Sequence, residues 1–220
     1  MKHIWLLLTL VTSLQASDVS GVATIKDRRG KSLDLKNDPA VVYLVAKAAI
    51  PEKLRDAQYV MVTKNKQFSP RLLIVPVGAT VRFPNNDPII HNVFSVSGKN
   101  RFDAGRFGKG VGATHTFLHP GLARVYCNVH HGMNALIFVI DNPWFAYIQE
   151  DGSFTLRDVP PGSYKLNLLH RLAGRTSRNI EVQASTNLSV ELSLQAKQKR
   201  LKPHLNKDGK PYKRRRSSKY

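Results

Sequence analysis

Apolar and polar positions alternate in short bursts along this chain and show almost no helical period. Residues 19–26 alternate weakly, and Asp27-Arg28-Arg29-Gly30 closes them with a turn signal. Val41-Val42-Tyr43-Leu44-Val45 is a β-branched and aromatic run that reads as a buried strand. Residues 46–57 have room for one helical turn and serve as a connection. Strands are predicted over 59–63, 71–77, 80–83 and 91–96, with Pro76 marking an edge or bulge. Five glycines between Ser97 and Gly112 predict a long flexible loop. Strands resume over 113–118, 122–127 and 135–140. A two-residue period puts Ala123, Val125 and Cys127 on one face. After Asn142-Pro143, five more strands are predicted over 144–148, 153–156, 164–170, 179–182 and 188–194. The fold class is all-β.

Charge changes the picture at the two ends. Lys and Arg number 34 against 15 Asp and Glu, a net +19. Lys197-Gln198-Lys199-Arg200 and Lys213-Arg214-Arg215-Arg216 bracket a polar segment, so residues 197–220 read as a disordered basic tail. Such a tail either finds an anionic partner or only keeps the chain soluble, and both readings stay open. At the other end, Lys2 and His3 precede the apolar run Ile4 to Val11, and Ala16 offers a cleavage site. Residues 1–16 thus read as a signal peptide. Leu14 departs from the usual small residue, so an uncleaved anchor stays open. No later segment is long and apolar enough to span a bilayer. The expected location is a bacterial periplasm.

An exported chain with one cysteine makes no internal disulfide, and its leftover thiol asks for a role. The cysteine lies in Cys127-Asn128-Val129-His130-His131-Gly132-Met133, and an earlier loop ends in His91-Asn92-Val93. Two imidazoles, a thiolate and a weak axial thioether are the ligand set of an electron-transfer copper site. His91, Cys127, His130 and Met133 are therefore the candidate metal ligands, for one copper ion cycling between Cu(I) and Cu(II). A small buried core residue is the plain alternative for Cys127. His115, His119 and His131 read as surface or turn residues and Met61 as core. Asn92, beside His91, is placed to clamp the facing ligand loop.

These motifs carry a resemblance. Residues 58–142 resemble the cupredoxins, and the Cys-x-x-His-x-x-Met spacing of Cys127, His130 and Met133 is similar to the amicyanin type more than to plastocyanin. His131 stands where such loops often have proline. Asp151-Gly152 and Val159-Pro160-Pro161-Gly162-Ser163-Tyr164 resemble the transthyretin-like sandwich of carboxypeptidase regulatory domains. Residues 19–46 look like the opening strands of that same sandwich. The resemblance implies a cupredoxin Greek-key sandwich inserted into a discontinuous transthyretin-like sandwich made of 17–57 and 143–196. A single enlarged sandwich is the alternative.

The function this implies is exported single-electron transfer between redox partners, with His130 passing the electron and no enzymatic activity. An acidic redox protein such as a cytochrome or dehydrogenase would suit the basic surface. Two alternatives stand beside it: copper storage or delivery with the same ligands, and a sandwich that binds an anionic envelope polymer through its tail.

Overall fold

A computed structural model describes residues 15–196, 205–208 and 210–212. Most of the expected signal segment and much of the tail lie outside the described residues. The regular structure of the described chain is nearly all strand, with one four-residue helix, α1 (Glu52–Arg55), in the expected connection. Among the described residues no helix is long and apolar enough to cross a membrane.

The strands form four sheets. The first runs β14 (Ser153–Val159), β1 (Ser17–Lys26), β17 (Leu188–Gln195). The second runs β13 (Phe145–Tyr147), β2 (Ala40–Val45), β15 (Gly162–His170), β16 (Gly174–Val182). Strands from both ends of the chain thus pair with one another. Between them in sequence come the other two sheets. One runs β6 (Leu72–Pro76), β12 (Asn134–Ile140), β11 (Gly121–Tyr126), β8 (His91–Ser97), β9 (Asn100–Phe107). The other runs β10 (Gly110–Thr116), β7 (Thr80–Asn85), β4 (Val62–Lys64), β5 (Gln67–Ser69), with β3 (Tyr59–Val60) also on β7.

Three cores lie between these sheets. Val42, Leu44, Leu166 and Leu168 fill the outer sandwich with Val19, Leu156 and Val190. Phe83, Phe117, Val125, Ile137 and Val139 fill the inserted one. Val41, Tyr43 and Leu169 meet Leu72, Ile74, Leu136 and Phe138 between the two. Neighbouring residues of β2 and of β12 therefore face different cores. That is why Val41 to Leu44 and Ala135 to Ile140 are unbroken apolar runs: a strand covered on both faces has no polar side to alternate with.

The segment from Ser97 to Gly112 is not a loop. It carries β9, paired with β8, and the start of β10, paired with β7. Two of its glycines sit at register shifts. Gly105 and Gly112 have φ of 78° and 69°, and a Cβ on Gly112 would sit 1.8 Å from the Phe83 carbonyl oxygen. Glycine there permits close strand approach and a register shift between Gly110 and Ala113, so the cluster marks bent strands. Short β5 carried too little pattern to be expected, and β16 begins five residues before the predicted start, on mostly exposed residues.

A buried polar joint ties the sandwiches together. Arg171 donates through Nε and Nη2 to both carboxylate oxygens of Asp38 (2.9 and 2.6 Å) and through Nη1 to Asn134 Oδ1 (2.5 Å). Beside it, His170 is fully buried. Its Nδ1 accepts from the Leu172 and Ala173 N–H groups, so Nε2–H donates to the Asp38 carbonyl oxygen (3.0 Å). Burial lowers the His170 pKa; the Asp38 carboxylate opposes this and the Arg171 cation adds to it. The unfolded chain therefore takes up a proton more readily than the folded one. This contribution to stability is complete above the ordinary histidine range near ~6.5 and is lost as pH falls through the lower folded value. The urea midpoint should drop between pH 7 and pH 5, and His170→Gln should show a smaller drop. An equal drop in the variant would remove His170 from the account.

Candidate metal centre

The ligand loop begins where β11 ends. Ala123, Val125 and Cys127 are all fully buried on one face, which carries the Cys127 thiol into the rim of the inserted core. Tyr126 pairs with Asn134, so residues 127–133 form a short loop across two adjacent strands. The Met133 N–H donates to the His130 carbonyl (3.0 Å) and tightens it. β8 lies on the other side of β11, with Phe94 opposite Tyr126, and this register brings His91 beside the loop. Asn92 fixes the approach, because its Oδ1 accepts the Asn128 N–H (3.2 Å).

Three donor atoms converge as a result. Cys127 Sγ lies 3.8 Å from His91 Nδ1 and 4.0 Å from His130 Nδ1, and the two nitrogens are 3.2 Å apart. A point equidistant from all three lies roughly 2.1 Å from each, within the ~2.0–2.3 Å range of nitrogen and thiolate bonds to a metal ion. One proton can bridge the two imidazoles, and a single cation would satisfy all three donors together. Among the described residues, this is the group of His, Cys and carboxylate side chains that could hold a metal. Cys127 and His91 are fully buried and His130 is partly exposed. Met133 is buried in the same core cluster as Cys127.

The tautomer of His91 is set from behind. Its Nε2–H donates to Asp87 Oδ2 (2.9 Å), leaving the Nδ1 lone pair for the site. Asp87 is itself held by the N–H groups of Asn65 (2.7 Å) and Lys66 (2.9 Å). Burial pushes the Asp87 carboxyl up, but these N–H groups and His91 outweigh it, and its pKa lies below the usual value. Burial lowers the His130 pKa first, and repulsion that a proton on His91 and the Lys66 cation would exert adds to that, which favours the neutral imidazole. A neutral imidazole is the form that ligates metals.

The other histidines weighed from the sequence are not part of this group. His115 stacks on Phe102 (centroids 4.1 Å apart, 11° between planes), His119 is exposed, and His131 stacks on Tyr212. Met61 is core. Asp87 is the site residue that sequence reading missed. Its four-residue offset from His91 is the local signal that could have found it.

No protein-family model matches the chain, and no curated protein does. Several solved structures are similar to part of this chain. A purple cupredoxin from Nitrosopumilus maritimus is 24% identical over 38% of this chain and 100% of its own, with a TM-score of 0.34. A reduced mutant of amicyanin and the Cu(I) form of another are each 21% identical over 45% of this chain and 98% of theirs, both with TM-scores of 0.37. Likenesses this low fix no function by themselves.

Proposed function

We propose that this chain is an exported, mononuclear copper protein of the cupredoxin type that carries single electrons and is not an enzyme. The convergence of His91 Nδ1, Cys127 Sγ and His130 Nδ1 around space for one ion carries the reading. Copper held there would supply one-electron chemistry, and two imidazoles with a thiolate suit both its oxidation states. Met133 is assigned the weak axial position on its spacing and its burial beside Cys127. Buried His91 and Cys127 keep water from the thiolate, while partly exposed His130 is the route for an electron. Ile90 and Val129, each preceding a ligand in sequence, are exposed apolar residues beside that route. The excess of basic charge favours an acidic partner such as a cytochrome or dehydrogenase.

The outer sandwich is assigned a transthyretin-like scaffold role. Two turns among the residues that carry that likeness are held by hydrogen bonds. The Ser153 N–H donates to Asp151 Oδ1 (2.8 Å), and the Tyr164 hydroxyl donates to the Pro160 carbonyl (3.0 Å). Binding of an anionic envelope polymer by the basic tail remains a separate proposal.

Fast, reversible reduction of the copper-loaded protein by a cytochrome tests the electron-transfer reading. Tight Cu(I) binding without such cycling would move the assignment to storage or delivery. Met133→Leu should raise the reduction potential, and an unchanged potential would take Met133 out of the axial position. Asp87→Asn should lower copper affinity by about tenfold, since it removes the carboxylate that orients His91. Competition against a chromophoric chelator measures this, and an unaltered affinity would make Asp87 a turn former only.

A further inference from the structure

The described part of the C-terminal segment does not trail away from the protein. It lies against the ligand loop, and its contacts lead to the residue that follows each of the three converging ligands, His91, Cys127 and His130. Asn128 follows Cys127. Its Oδ1 accepts the Tyr212 hydroxyl (3.0 Å) and the Lys207 N–H (3.4 Å), which uses both lone pairs. His131 follows His130, and its ring stacks on Tyr212 with centroids 3.5 Å apart and 29° between planes. Asn92 follows His91. Its side-chain N–H donates to Asp103 Oδ1 (2.7 Å), while Asp103 Oδ2 accepts from Lys207 Nζ (2.8 Å). The Asn128 N–H to Asn92 Oδ1 bond closes the ring.

The segment is shaped for this contact. Asn206 Oδ1 accepts the N–H groups of Asp208 (3.0 Å) and Lys210 (2.8 Å), and its own N–H donates to the Lys210 carbonyl (2.8 Å). This turn presents the Lys207 backbone and side chain together. Burial, then the charge of Cys127, pushes the Tyr212 phenol up to about 12. A basic tail resting loosely on an acidic patch would show only an exposed ion pair such as Lys207 with Asp103, which adds little at a surface. The stack on His131 and the shared acceptor on Asn128 go beyond that.

We propose that residues 205–208 and 210–212 form a strap that locks the ligand loop, so that a bound metal leaves only after Tyr212 releases Asn128 and His131. The strap rests on the copper reading for its cargo, but its docking does not. Tyr212 and Lys207 are positioning residues: they act on the ligands through Asn92, Asn128 and His131. The bound ion gains nothing from them directly; the loop that would have to open is what they hold.

The test uses the full chain with Tyr212→Leu, Tyr212→Phe and Lys207→Ala, changes in a terminal segment outside all three cores. In the metal-free protein, NMR of the His131 ring protons should show a ring-current displacement that Tyr212→Leu abolishes and Tyr212→Phe keeps. In the Cu(I)-loaded protein, transfer of copper to bicinchoninate should be about tenfold faster in Tyr212→Leu and less accelerated in the other two. Unchanged His131 shifts in Tyr212→Leu would show that the segment does not dock, and would overturn the proposal. Changed shifts with a transfer rate within about twofold of the parent would show docking without locking, and would overturn it too. A parent chain with the ring-current displacement but no copper uptake would refute the copper reading and take the lock with it.

Discussion

Replacing Cys127 by serine should abolish the intense visible copper–thiolate absorption and cost at least the 10–100-fold in copper affinity that loss of an outer-shell partner costs. The expectation follows from position as well as chemistry. Cys127 Sγ is the single soft donor among three atoms separated by 3.2 to 4.0 Å, and it is fully buried. Serine supplies a hydroxyl that water-poor surroundings keep protonated, and two imidazoles remain. Such a site prefers Cu(II) and opens to outside ligands. Visible and electron paramagnetic resonance spectra read the change. A serine variant that kept the intense band would show that the thiolate is not a ligand.

Arg171→Ala should destabilise the fold by about 3 kcal/mol or more, because it strands a paired carboxylate in a buried joint. Arg171 makes a two-pronged contact with Asp38, and its side chain is only 4% exposed. The same guanidinium grips Asn134, the first residue of β12 and the one after Met133. The outer sandwich is thereby bonded to the exit of the ligand loop. Arg171→Lys keeps the charge but loses the planar fork, so it should recover only part of the loss. Urea unfolding measures both. A loss below ~1 kcal/mol for alanine would put the joint in the class of exposed ion pairs and separate the sandwiches energetically.

What the chain declares locally, the structure repeats. Alternation over Leu122 to Cys127 set the thiol on the buried face, and the ligand-bearing loop between two strands follows from it. The trio His91, Cys127 and His130 was legible because spacing and residue type both point to metal chemistry. What stayed hidden depends on partners far along the chain. Asp38 and Arg171 are 133 residues apart, and Tyr212 and Asn128 are 84 apart. Neither pair leaves a periodic trace. The glycines before Gly112 misled for a different reason. Composition alone does not distinguish a flexible loop from a strand bent by bulges; here the close approach to Phe83 requires glycine at 112. Part of the tail carried another hidden order: its basic runs suggest disorder, while Asn206, Lys207 and Tyr212 make specific contacts between those runs.

X-ray absorption at the copper edge of the loaded, full-length protein tests the central claim most directly. One ion bound by a single short sulfur contact and two imidazole nitrogens is the result expected from atoms placed as His91 Nδ1, Cys127 Sγ and His130 Nδ1 are. A spectrum with nitrogen and oxygen neighbours but no sulfur would contradict it.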